Sequence, residues 1–216
     1  SLLEGLATIA ALAIEKSRLY AEKLEKRRMK SELRVAEAFQ SWLFPESFDP
    51  PPGVELAGYN LPARTMGGDM YDAFKSGDHF HFLLGDVSGK GPGAALWMAS
   101  AASVIRFMED NGMSIVHDVK LLDRHLTSMM PSSSFITMFI GMLKDEELIY
   151  TSAGHNPMLL DHPVKGCRLL GATGLPMGMM PDAPREIRTV DFPRGSTLVL
   201  FSDGITESEN HKGEMY

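Results

Sequence analysis

Leu6, Ala10, Ala13, Tyr20 and Leu24 recur at helical spacing near the start of the chain, and Leu33, Ala36, Phe39 and Leu43 continue the pattern. No proline precedes Pro45, and Gly5 is the one early glycine. The periodicity predicts one long helix over residues 2–43, with the charged run KLEKRRMK as a solvated face. At ~1.5 Å per residue such a helix is roughly 60 Å long, more than a small domain can cover along its whole length. Residues 1–44 therefore read as a helical connector, paired with a second copy as a coiled-coil dimer or with an upstream domain. FPESFDPPPG then stops the helix, because proline removes a donor and clashes with the preceding turn.

From residue 45 the pattern changes. VELAGYN, HFHFLLGDV, SFITMFIGML, ELIYTSAG, REIRTVDF and STLVLFSD predict strands. Lys144, Asp145 and Glu146 separate two of them, so Phe135–Ala153 reads as a hairpin. Gly93–Glu109 and Ser114–Met130 have helical spacing. Strands, two helices, a hairpin and more strands give an α+β layout with mostly antiparallel sheet over 45–216, without the strict alternation of a doubly wound fold.

Composition narrows the function. Apolar residues form 44% of the 216, enough for a core and against disorder. The formal charge of −7 argues against nucleic acid as a partner. Cys167 is the only cysteine, so no internal disulfide forms; a reducing, cytoplasmic setting is expected, with Cys167 as a packing residue. The fifteen methionines are expected as core fillers. The apolar stretch Leu2–Ile14 carries Glu4 and is too short to span a bilayer, and it lacks the features of a signal peptide. A chain opening at Ser1 in mid-helix pattern is expected to be a piece of a longer protein.

HFLLGDVSGKGPGAALWMA raises the chemical question: an acid ends an apolar strand, and glycines follow. A Walker loop fails, because Gly85 to Gly89 is one residue short and Gly91 follows Lys90. A serine-hydrolase elbow fails, because Asp86 stands where its first glycine belongs. One cysteine and scattered histidines do not make a structural zinc site. What remains is repeated acid–glycine punctuation: Gly67-Gly68-Asp69, Gly85-Asp86 and Asp203-Gly204. One instance is a turn. Three aspartates meeting at one sheet edge repel one another, a cost that a divalent cation removes. All-oxygen ligands point to Mg²⁺ or Mn²⁺.

MGGDMYDAF, LLGDVSGKGPGAALWMA, YTSAGHNPMLL, GLPMGMMPDA and LVLFSDGITES, in this order from about residue 39 to the end, resemble the SpoIIE/RsbU type of bacterial serine phosphatase. That group belongs to the metal-dependent, protein phosphatase 2C-like superfamily. The resemblance implies a β-sandwich of two antiparallel sheets flanked by helices. It implies two Mn²⁺ or Mg²⁺ ions, with Asp86 bridging them, the Val87 carbonyl beside it, Asp203 on one ion and Asp69 near the other. It offers Arg64 as a phosphate ligand, while His155 reads as a structural turn residue and Asp72 as a surface acid. It implies hydrolysis of phosphoserine or phosphothreonine, with a phosphorylated anti-sigma-factor antagonist as substrate and an upstream sensor domain beyond the connector. The family pattern has a further C-terminal aspartate that would follow KGEMY, so the domain is expected to be C-terminally incomplete and weakly active or inactive. The competing expectation is a catalytically silent interaction or dimerisation module of the same fold.

Overall fold

The computed structural model describes residues 2–61, 66–208, 210–211 and 213–215. The chain divides into two units, residues 1–41 and 42–216. The first is one uninterrupted helix, α1 (Leu2–Ser41). Arg18–Glu22 and Arg28–Glu32 pairs at i,i+4 support it. Among the described residues no helix is long and apolar enough to cross a membrane.

The second unit runs β1 (Met70–Ser76), β2 (His79–Val87), α2 (Pro92–Asp110), α3 (Val119–Met129), β3 (Ile136–Lys144), β4 (Glu147–Ala153), β5 (Met158–His162), β6 (Gly166–Leu170), β7 (Arg188–Asp191), β8 (Thr197–Val199) and α4 (Asp203–Thr206). One sheet has the order β1-β2-β3-β4-β7 and the other β6-β5-β8. Every strand pairing within them is antiparallel.

Alternation along the strands explains the layering. Met138, Ile140 and Met142 of β3 join Met98, Ile105 and Met108 of α2 and Leu122 and Leu126 of α3 in one core. Phe139, between them in sequence, faces a second core with Phe82, Tyr150, Met158, Leu160 and Leu198. Phe139 stacks on Tyr150 with ring centroids 5.3 Å apart. The five-stranded sheet is thus covered by helices on one face and by the second sheet on the other. This is the expected α+β sandwich.

Three local readings need correction. VELAGYN forms no strand: Val54 and Leu56 turn inward as alternation requires, and Leu56 packs on the second core, but no strand among the described residues pairs with them. MYDAFKS, PMLLDH and GCRLL, by contrast, carry β1, β5 and β6. Helix α3 begins at Val119, because Ser114–Asp118 forms a turn closed by Asp118 N–H to the Ser114 carbonyl at 2.7 Å. Cys167 is exposed on β6, with its thiol 3.2 Å from Asp161 Oδ1. The methionines do fill the core, six of them (98, 108, 138, 142, 158 and 177) at 1% exposure or less.

Candidate metal centre

Asp86 is the penultimate residue of β2, on the face that carries Phe80 and Phe82 toward the second sheet. Asp69 immediately precedes β1, whose Met70 pairs with Gly85. Asp203 opens α4, four residues beyond the end of β8. Carboxylates from both sheets thereby reach one end of the sandwich.

Their electrostatics show the approach. Burial pushes the Asp86 carboxyl up to about 7, and the charges of Asp69 and Asp203 and a hydrogen bond with Asp69 add to the rise. Burial also raises Asp69, against the lowering effect of Ser202, whose Oγ donates to Asp69 Oδ2 at 3.3 Å. Acids crowded in this way repel one another, a cost that a divalent cation between them would remove. Among the described residues no basic side chain is ion-paired with Asp69, Asp86 or Asp203. Nor do three histidine, cysteine or acidic side chains among them already stand in the arrangement of a formed metal site.

The backbone is fitted to the same place. A Cβ on Gly68 would lie 2.7 Å from the Val87 carbonyl oxygen, so only glycine lets these segments meet. Val87 N–H donates back to the Gly68 carbonyl at 3.3 Å, locking the Asp69 segment to the Asp86–Val87 strand end. Gly89 and Gly91 then take positive φ, turning the chain into α2, which starts with Pro92. Carboxylates and one carbonyl form an all-oxygen set, which fits Mg²⁺ or Mn²⁺ and not zinc.

Other residues of the sequence reading fall elsewhere. Asp72 on β1 is half-buried and not a simple surface acid; its Oδ1 accepts from Ala73 N–H at 2.8 Å and its Oδ2 lies 3.9 Å from Arg106. Arg64 lies outside the described residues. Gly68 and Ser202 lay inside the quoted motifs without an assigned role, and Thr137 had no motif to announce it. Thr137 meets Asp86 only through β2–β3 register, and its Oγ1 donates to the Asp86 carbonyl at 3.4 Å.

A two-sheet antiparallel sandwich with helices over one sheet and acids at its strand ends defines the PP2C-like class of fold. The SiaA-PP2C domain of Pseudomonas aeruginosa shares it with a TM-score of 0.68, over 88% of this chain and 78% of that one, at 16% identity. The RsbU and RsbW domains of Rv1364c from Mycobacterium tuberculosis match with a TM-score of 0.59 and 30% identity, over 69% of this chain and 42% of that one. The family described as Stage II sporulation protein E (SpoIIE) matches residues 76–216, and the chain belongs to that family. It is 29% identical over 188 residues to the phosphoserine phosphatase RsbU of Bacillus subtilis (strain 168), which covers 86% of this chain and 56% of that protein. The chain thus spans about half the length, or less, of the curated relatives it matches.

Proposed function

We propose that this chain hydrolyses phosphoserine or phosphothreonine on a regulatory protein, using two divalent cations held by Asp69, Asp86, Asp203 and the Val87 carbonyl. The observation that carries the reading is the convergence of three acids at one end of the sandwich: Gly68 packs against Val87 beside Asp86, Ser202 Oγ donates to Asp69 Oδ2, and the charges of Asp69 and Asp203 act on buried Asp86. Mn²⁺ or Mg²⁺ would supply polarisation of a phosphoryl oxygen and a water acidic enough to react near neutral pH.

The chain's own residues do the rest. Asp86 and Asp69 would face the centre as anions, the cations offsetting the burial and mutual repulsion that raise both carboxyls. Ser202 keeps Asp69 oriented through its hydroxyl. The Gly68–Val87 contact holds the Val87 carbonyl beside Asp86. Arg64, five residues before Asp69, is the candidate to orient the phosphate. Water attacks phosphorus in line; the bond to the seryl oxygen breaks, and that oxygen leaves as the serine hydroxyl. No side chain need become phosphorylated, consistent with an exposed Cys167 on β6 and no serine elbow.

The substrate class proposed is a phosphorylated anti-sigma-factor antagonist. Support comes from the phosphoserine phosphatase RsbU and from the protein that carries RsbU and RsbW domains together. The connector helix is proposed to dimerise and to link an upstream sensor domain, because Leu6, Ile9, Leu12, Leu19 and Leu24 stand exposed along it. The test is turnover of a phosphoserine peptide with MnCl2. Asp86→Ala and Asp203→Ala should each abolish it; full activity in either variant would defeat the assignment.

A further inference from the structure

His155 stands in the turn after β4 and is only 4% exposed. A histidine buried this deeply is normally held by hydrogen bonds at both ring nitrogens. Here Nδ1 lies 2.9 Å from Thr137 Oγ1, and buried Nε2 makes no hydrogen bond of normal geometry, although the Phe201 backbone stands close enough to act on the ring. Thr137 is the residue directly opposite Asp86 in the β2–β3 pair, and its hydroxyl donates to the Asp86 carbonyl. On the other side of the ring lie the Phe201 backbone and the Asp203 carboxylate. The turn itself is pinned, since Gly154 N–H donates to the Gly174 carbonyl at 2.9 Å.

His155 therefore sits between the two strand ends that deliver the acids, one from each sheet. Asp86 belongs to the five-stranded sheet, and Asp203 follows β8 of the three-stranded sheet. Among the described residues no hydrogen bond joins strands of the two sheets, and the Ser202 Oγ to Asp69 Oδ2 bond ties the Asp203 segment to Asp69 and not to Asp86. We propose that His155 is a positioning residue which, through Thr137 on one side and the Phe201–Asp203 segment on the other, sets the spacing of Asp86 and Asp203 and with it the affinity for divalent cations. The inference rests on the metal-centre reading above and adds residues to it that touch neither cation nor phosphate. Groups that orient metal ligands in this way typically govern affinity by ~10–100-fold.

Calorimetric titration of MnCl2 into the 216-residue chain tests this without relying on turnover. His155→Ala and Thr137→Val should each weaken Mn²⁺ binding about 10-fold, whereas Thr137→Ser and His155→Asn, which keep a hydrogen-bonding group, should recover most of it. In p-nitrophenyl phosphate assays the Mn²⁺ midpoint should move by the same factor while KM stays put. If His155→Ala does not fold, the Thr137→Val and Thr137→Ser pair decides. Mn²⁺ affinities within about twofold of the parent in the alanine and valine variants would overturn the proposal and leave His155 a turn residue. A parent chain that binds no Mn²⁺ would overturn the metal-centre reading itself, and this inference with it.

Discussion

Alanine at position 68 probes the closest backbone approach at the candidate centre. Its Cβ would meet the Val87 carbonyl oxygen at 2.7 Å, about 0.7 Å inside the 3.4 Å at which ordinary contact begins, and Val87 Cβ and N at 3.1 and 3.2 Å. The oxygen and nitrogen are main-chain atoms, so no rotamer change relieves the contact. Separation of the strands is resisted by the Met70–Gly85 pairing and by the Val87 N–H to Gly68 bond. Overpacking of this kind costs ~1–3 kcal/mol, and loss of the hydrogen bond adds ~1. A destabilisation of about 2–4 kcal/mol lowers Tm by about 4–16 °C in a domain of this size. The displaced Val87 carbonyl should also cut Mn²⁺-dependent phosphatase activity by about 10-fold or more, since a misplacement near 1 Å costs ~100-fold. Gly93→Ala is the internal control: it lies in the first turn of α2 with nothing within 4 Å of its added methyl, and should leave Tm unchanged or raised. Differential scanning calorimetry reads both variants. Gly68→Ala melting within about 1 °C of the parent would refute the close approach on which the Asp69–Val87 geometry depends.

Three further outcomes follow from other parts of the molecule. Arg185 is fully buried against Asp123 at 3.1 Å, so Asp123→Ala strands a charge and should cost ~3–5 kcal/mol in thermal denaturation; a loss under ~1 kcal/mol would contradict this. Asp86, raised from 3.8 to about 7, favours the folded state in its protonated form: that stability is complete below the unfolded value and is lost as pH rises through 7. His81 and His155, pushed down to about 4 chiefly by burial, act oppositely, losing stability as pH falls from 6.5 through 4. The difference between parent and Asp86→Asn removes the histidine part, so in EDTA the variant's Tm should gain on the parent's from about pH 5 to pH 8; a flat difference would contradict the shift. By light scattering the 216-residue chain should be dimeric and a chain starting at Pro45 monomeric, and identical masses would count against the connector's proposed role.

The sandwich was most legible where strands are buried on both faces. HFHFLLGDV, SFITMFIGML and ELIYTSA are near-continuous apolar runs because helices cover one face and a second sheet the other. β1 escaped notice because it is an edge strand with a broken burial pattern behind a Gly-Gly-Asp turn, and β6 because its first four residues are exposed. VELAGYN misled for the converse reason: its alternation reports which side chains turn inward, and pairing is a separate matter. The acids announced themselves by standing next to glycine at or near strand ends. Their supporting residues did not, since Thr137 reaches Asp86 across 51 positions and Ser202 reaches Asp69 across 133. Such contacts are products of register and sheet packing, which local spacing does not encode.

Anomalous diffraction from crystals soaked in MnCl2 tests the central claim most directly. The account predicts manganese peaks bounded by the Asp86 carboxylate, the Val87 carbonyl, Asp69 and Asp203, with direct oxygen contacts at roughly 2.0–2.6 Å. Manganese bound elsewhere on the surface, with this end of the sandwich empty at saturating concentration, would contradict it.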